Sequence, residues 1–193
     1  MRYKFLACLL GLFFISQNAL ASDDLYKIIT TEDKTAFLDL LSTSGFELDE
    51  QDVEGNTPLM IASALGKTKF VEFLVNLGAK TNKKNYVGIT ALHRAAQNGH
   101  NDIIDILIDH GAQVNMPDMD GITPLMKAVE GERRFTVELL VHRGAYIQFI
   151  NRNKKTAVDI AKDNRFHKIH QFLLNALKNE NANGGPNYSW EDI

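Results

Sequence analysis

From residue 34 to about 178 the apolar positions come in short bursts at helical spacing, separated by polar or glycine-bearing stretches. Phe70, Val71, Phe73 and Leu74 form one burst, and Ile103, Ile104, Ile106 and Leu107 form the next. Steps of one, three and four residues place such sets on one face of a helix. Ahead of each burst a second, shorter helix is expected. It begins after a threonine (Thr57, Thr90, Thr123, Thr156) able to accept backbone N–H bonds, with Pro58 and Pro124 at the first helical position, where the missing donor does no harm. Ala62, Ala95, Ala96 and Ala128 are small at the level where neighbouring helices must approach. Gly66 and Gly99 then permit the left-handed turn between the two helices.

This helix pair recurs. Gly55-Asn56-Thr57-Pro58-Leu59, Gly88-Ile89-Thr90-Ala91-Leu92, Gly121-Ile122-Thr123-Pro124-Leu125 and Lys154-Lys155-Thr156-Ala157-Val158 start at positions 55, 88, 121 and 154, which are equally spaced. A second series, Gly45, Gly78, Gly111 and Gly144, keeps the same step, and alanine follows the last three. Self-similarity at this period marks a repeat architecture, in which each unit buries its apolar faces only against its neighbours.

The pattern resembles the ankyrin repeat. The fullest match is Thr90-Ala91-Leu92-His93-Arg94-Ala95-Ala96-Gln97-Asn98-Gly99-His100, and residues 52–84, 85–117 and 118–150 follow the motif in order. Residues 151–178 resemble a terminal unit. Residues 23–51 resemble a degenerate first one, since Phe37, Leu38, Leu40, Leu41 and Gly45 lie one period before Phe70, Val71, Phe73, Leu74 and Gly78. The resemblance implies an all-α solenoid of about five stacked helix-turn-helix units, three full repeats and two caps. Lys168, Gln171 and Asn175 at one end, and Asp33, Lys34 and Asp39 at the other, supply the polar outer faces that caps need.

Departures from the motif carry information. Met60 and Met126 stand where His93 stands, so no shared chemistry rides on that histidine; the resemblance implies a structural tie from its ring to neighbouring backbone. Glu132 occupies the position of Gly66 and Gly99, while Gly131 comes one place early. The helix before it is therefore expected to end one residue sooner. Gln148 replaces the asparagine of Asn82 and Asn115.

The termini read differently from the body. Met1 to Lys4 is a short basic start, residues 5–15 are an uninterrupted apolar run, and Ala19-Leu20-Ala21 is a signal-peptidase pattern. Residues 1–21 are expected to be an export leader cleaved after Ala21, since the apolar run is too short to span a bilayer. Residues 22–178 then form the repeat domain. Residues 179–193 form an Asn- and Gly-rich tail whose Tyr188 and Trp190 either dock somewhere or belong to a loose end.

Charge and chemistry narrow the function. The chain carries 21 basic and 24 acidic residues; without the leader it loses Arg2 and Lys4 but no acid, which leaves it mildly acidic, with no basic stripe for nucleic acid. Its one cysteine, Cys8, lies in the leader, so the mature chain has no disulfide, thiol nucleophile or zinc-thiolate site. No phosphate loop, serine elbow or metalloprotease pattern occurs. His100 is at a motif position, and His110 and His142 lie near helix ends, where they complement the dipole. His167 and His170, three residues apart with Asp163 upstream, could offer metal ligands, yet solvated polar residues on a cap helix are the plainer account. The expectation is a monomer with no enzyme activity, no cofactor, no metal and no stable membrane insertion.

What remains is recognition of another protein. The resemblance implies a concave surface made of hairpin-like turns and first helices. Here it comprises Gln51, Val53, Glu54, Asn56, Ala64, Leu65, Lys84, Tyr86, Val87, Ile89, Gln97, Asn98, Met119, Asp120, Ile122 and Glu130. Within it Leu65, Tyr86, Val87, Gln97, Asn98, Met119, Asp120 and Glu130 are the candidate partner-binding residues, with Tyr86 and Met119 foremost. Ile89, Ile122 and Val53 either join them or pack inward to hold the turns. The expected address is the periplasm or the exterior. The expected role is binding or protecting a cell-envelope partner, with a secreted effector or toxin-neutralising factor as the alternative.

Overall fold

The computed structural model describes residues 24–43 and 45–182. The leader, its cleavage point, Tyr188 and Trp190 lie outside the described residues. Five helix pairs follow in order: α1 (24–31) and α2 (Lys34–Thr43), α3 (Pro58–Ala64) and α4 (Thr68–Asn76), α5 (Ala91–Asn98) and α6 (Asn101–Asp109), α7 (Pro124–Glu130) and α8 (Arg134–His142), α9 (Ala157–Asp163) and α10 (His167–Ala182). There is no strand among the described residues.

Each inner helix starts as its sequence dictates. Thr57 Oγ1 accepts from the Met60 N–H at 3.3 Å, Thr123 Oγ1 from Met126 at 3.4 Å and Thr156 Oγ1 from Asp159 at 3.2 Å. Asp159 reciprocates by accepting from the Thr156 N–H, which holds its carboxyl below the usual carboxylate range. The apolar bursts are sealed between layers: Phe70, Leu74, Ile103, Ile104, Leu107, Val137 and Leu140 are fully buried, as are Ala62, Ala95, Ala96 and Ala128 where the inner helices meet. Polar ties run beside this seam. Asp49 Oδ1 accepts the Lys80 N–H at 3.0 Å, Asn82 Oδ1 that of Gln113 at 2.8 Å and Asn115 Oδ1 that of Tyr146 at 2.8 Å.

Three features differ from expectation. α7 ends one residue sooner than α5, which has 8 residues, but at the same point as α3, which has 7, so the early end is not peculiar to the unit with Gly131. Glu132 itself takes the left-handed conformation (φ 55°), as Arg165 does one unit later (φ 61°), because the packed helices on either side fix the turn. Gly131 is right-handed at φ −77° and serves another purpose: a Cβ there would lie 2.3 Å from the Gln97 carbonyl oxygen, so this glycine allows α7 to approach the end of α5. Leu38, placed on the apolar face of the first unit, is 45% exposed, since no unit precedes it among the described residues to cover that side. Lastly, α10 continues to Ala182, past the boundary at 178, through residues 179–182, which contain neither glycine nor proline.

Candidate functional site

The turns that join one unit to the next are built by a single device. An aspartate or asparagine, at 52, 85, 118 or 151, accepts through Oδ1 from the N–H groups two and four residues on; for Asn85 these are Val87 at 3.1 Å and Ile89 at 2.8 Å. Its own N–H donates to the carbonyl four residues later, at 2.9 to 3.0 Å in all four turns. Such Asx turns hold a tight finger without help from a core. The two residues at each tip are thereby pushed outward: Val53-Glu54, Tyr86-Val87, Met119-Asp120 and Arg152-Asn153.

Neighbouring fingers are joined by main chain. The N–H of Tyr86 donates to the Glu54 carbonyl at 3.4 Å, that of Met119 to Val87 at 3.1 Å and that of Arg152 to Asp120 at 3.1 Å. The approach depends on glycine. At Gly55 (φ 81°) a Cβ would lie 2.7 Å from the Tyr86 nitrogen and 2.8 Å from its ring; at Gly88 it would lie 2.7 Å from the Met119 nitrogen. Tyr86 is therefore seated across the preceding finger.

On this frame the structure brings together an exposed apolar row. Val53 is 95% exposed, Tyr86 61%, Met119 56% and Val87 55%. Val53 thus joins the row and does not pack inward, whereas Ile122 is buried and Ile89 half-buried. Asp120 and Glu130 are exposed. The other candidates also take part in contacts within the stack. Leu65 closes α3 and packs partly against the core. Asn98 is exposed, but its amide donates to the Ala64 carbonyl at 3.0 Å and to that of Arg94 at 3.2 Å. Gln97 is half-buried and its carbonyl accepts from Arg133 Nε at 3.2 Å.

Behind the tips the cations have hydrogen-bond or ion-pair partners. Lys127 Nζ lies 3.3 Å from Glu130 and 3.8 Å from Asp118, Lys84 Nζ donates to the Pro117 carbonyl at 2.9 Å, and Arg94 reaches Asn56 Oδ1 at 3.4 Å. The pairing of Lys127 with two acids, one on a finger and one at the end of its own helix, is not signalled by the motif.

The histidines are structural in the same sense. The Thr90 N–H donates to His93 Nδ1 at 3.2 Å, and Nε2 donates to the Ile122 carbonyl at 3.0 Å, which assigns the neutral ring with its proton on Nε2. Burial, reinforced by Lys127, Lys84 and Arg94, pushes its pKa down to about 3, so the ring is neutral at physiological pH. His100 Nε2 donates to the Ala64 carbonyl at 3.2 Å; His110 and His142 donate from Nδ1 to carbonyls one turn earlier, at 2.8 and 2.6 Å. Asp163 pairs with Lys155 at 2.7 Å. Among the described residues no three His, Cys, Asp or Glu side chains form a group able to hold a metal ion, and no helix is long and apolar enough to cross a membrane.

Stacked helix pairs with outward fingers and no reactive cluster among the described residues define a repeat scaffold. The family model for ankyrin repeats (3 copies) matches residues 28–118, and the same unit continues through α10. This is an ankyrin-repeat protein. No curated protein matches the chain. Ankyrin repeats generally mediate protein–protein interaction and are typically non-catalytic.

Proposed function

We propose that this chain is an exported binding protein that holds or protects a partner protein of the cell envelope, gripping it with the finger tips and the adjoining inner helices. The observation that carries the reading is the row Val53, Tyr86, Val87 and Met119. These are large apolar side chains presented to solvent on turns rigidly cross-linked by main-chain bonds. Exposed aromatic and methionine side chains on a preorganised frame are the usual anchors of an interface, because little conformational freedom is lost when they are covered. The leader-like residues 1–21 supply the address.

The test is affinity capture from the periplasmic fraction with identification by mass spectrometry, using Tyr86→Ala combined with Met119→Ala as the control. The double variant should keep its fold and weaken partner binding by roughly 30-fold or more, about 2 kcal/mol. Equal capture by parent and variant would sink the finger-tip reading. Recovery of the protein wholly in the culture medium would point instead to an effector acting outside the producing cell.

A further inference from the structure

The turns between inner and outer helices line up along one edge of the stack, at the ends of the inner helices away from the fingers. The contacts along this edge are direct. His100 Nε2 donates to the Ala64 carbonyl, Arg133 Nε to that of Gln97, and Thr136 Oγ1 to Asn101 Oδ1 at 2.7 Å, while α8 packs in turn on α10. Cations that are dispersed along the sequence are thereby gathered. The equivalent segments 66–69, 99–102, 132–135 and 165–168 hold Lys67, Lys69, Arg133, Arg134, Arg165 and Lys168, against the acids Asp102 and Glu132. The whole chain has 21 basic and 24 acidic residues, so this edge runs against the overall balance.

Among these cations stands Phe135. It is 72% exposed on the first turn of α8, whereas the next two residues, Thr136 and Val137, are buried. Side chains on a helix lean toward its N-terminus, so the ring leans toward the edge. Lys69, Asp102 and Lys168 occupy the same position in other units, so the frame itself asks only for a residue that tolerates water. Lys69, Arg165 and Lys168 are exposed as well and form no ion pair among the described residues; Arg134 is paired with Glu138 at 2.8 Å. A dissolved polyanion would be met by the cations alone and would leave the ring in water. A bilayer with acidic headgroups meets both, since phosphates attract the cations and the acyl boundary accepts the ring.

We propose that this edge rests reversibly on an anionic phospholipid membrane, with Phe135 dipping among the headgroups, Lys69, Arg133, Arg165 and Lys168 facing phosphates, and no helix inserted. The fingers join the opposite ends of the inner helices. With 7 residues in α3 the separation is about 10 Å at the helical rise, so the tips stay uncovered. The proposal is independent of what those tips bind.

The test is co-sedimentation of the protein, purified as the cell processes it, with vesicles of phosphatidylcholine containing about one third phosphatidylglycerol, and with vesicles of phosphatidylcholine alone. Binding should be at least about tenfold tighter to the anionic vesicles and should fall steeply as salt is raised. Lys69→Glu with Lys168→Glu should remove the preference. Phe135→Ser should weaken binding to the anionic vesicles by about three- to tenfold, and Phe135→Trp, which keeps an interfacial ring, should bind at least as well as the parent. All three positions are exposed, so each variant should keep the circular dichroism of the parent. Equal binding to both kinds of vesicle, or none to the anionic kind, would overturn the proposal. A preference that survives the charge reversal would do the same. Indifference to Phe135→Ser would also overturn it, by giving the edge to a dissolved polyanion.

Discussion

The units at residues 85–117 and 118–150 have nearly the same backbone and solve the same joints with different chemistry. In the first, the inner helix is tied by hydrogen bonds: His93 links Thr90 to the Ile122 carbonyl, and Asn98 and His100 both donate to the Ala64 carbonyl. In the second, fully buried Met126 replaces the histidine, Gly131 replaces Asn98 and lets the Gln97 carbonyl come close, and Arg133 donates to that carbonyl at 3.2 Å. One joint is polar and specific, the other tightly packed. Because both give the same turn, the fold tolerates either, and it places the least demand on the residues at the finger tips.

The largest test of the shared frame is the seam. Leu107 and Leu140 are equivalent and fully buried, so Leu107→Ala and Leu140→Ala should each lose about 2 to 5 kcal/mol in denaturant unfolding. Similar losses would confirm that the two layers are alike despite their different joints; a loss under about 1 kcal/mol at either would mean that its layer is loosely packed. Next comes the tight joint. Gly131→Ala places a methyl group against the Gln97 carbonyl, a backbone atom that cannot swing aside, and should cost about 1 to 3 kcal/mol although the residue's φ suits any amino acid. A neutral outcome would remove close approach as the reason for that glycine.

The polar joint makes a prediction about pH. The folded chain holds His93 at a pKa of about 3, against 6.5 for an ordinary histidine. Between those values the unfolded chain takes up a proton that the folded chain refuses. Stability is therefore complete above pH 6.5 and drains away as pH falls toward 3, by at most about 1.4 kcal/mol per pH unit. His93→Met, which copies Met60 and Met126, should cost about 1 to 3 kcal/mol at pH 7, because the Thr90 N–H and Ile122 carbonyl lose their partners. Lacking the titrating ring, the variant should lose less on acidification, and the two stability curves should meet near about pH 5. Parallel curves from about pH 7 to 4 would show that His93 is not the proton site. Carboxylates such as Asp159 contribute equally to both proteins and do not disturb the comparison.

Much of this frame is legible in the sequence because it is periodic. The threonine caps, the alanine level, the apolar bursts and the glycines before the first three threonines recur with one step, and helices follow from them directly. The candidate surface is less completely legible. Tyr86, Val87 and Met119 are recognisable as apolar residues at turn positions, but the outward direction of Val53 and the inward one of Ile122 depend on how each finger leans on the next. The use of the Asn98 side chain to hold the stack is likewise set by contacts between units at positions that are not equivalent, such as that with Ala64. Periodicity carries no trace of those. Gly131 misleads for the same reason: its purpose is to admit Gln97 of the preceding unit, whereas the glycine pattern describes local conformation.

The smallest effect tests what the frame tolerates and why. Glu132 sits left-handed at φ 55° where Gly99 sits at 82°. A side chain in that region costs about 1 kcal/mol. Glu132→Gly removes that strain but frees the unfolded chain, so the net gain should be at most about 0.5 kcal/mol. The reverse change, Gly99→Ala, adds the strain and sets a Cβ 2.9 Å from Arg133 Cδ, the flexible part of a side chain that can move, so it should lose about 1 kcal/mol. If Glu132→Gly stabilises and partner capture is unchanged, the glutamate is a tolerated departure from the repeat. If it stabilises while capture weakens, strain has been kept at an exposed turn for the sake of binding, and the interface extends from the finger tips to the opposite edge of the third unit.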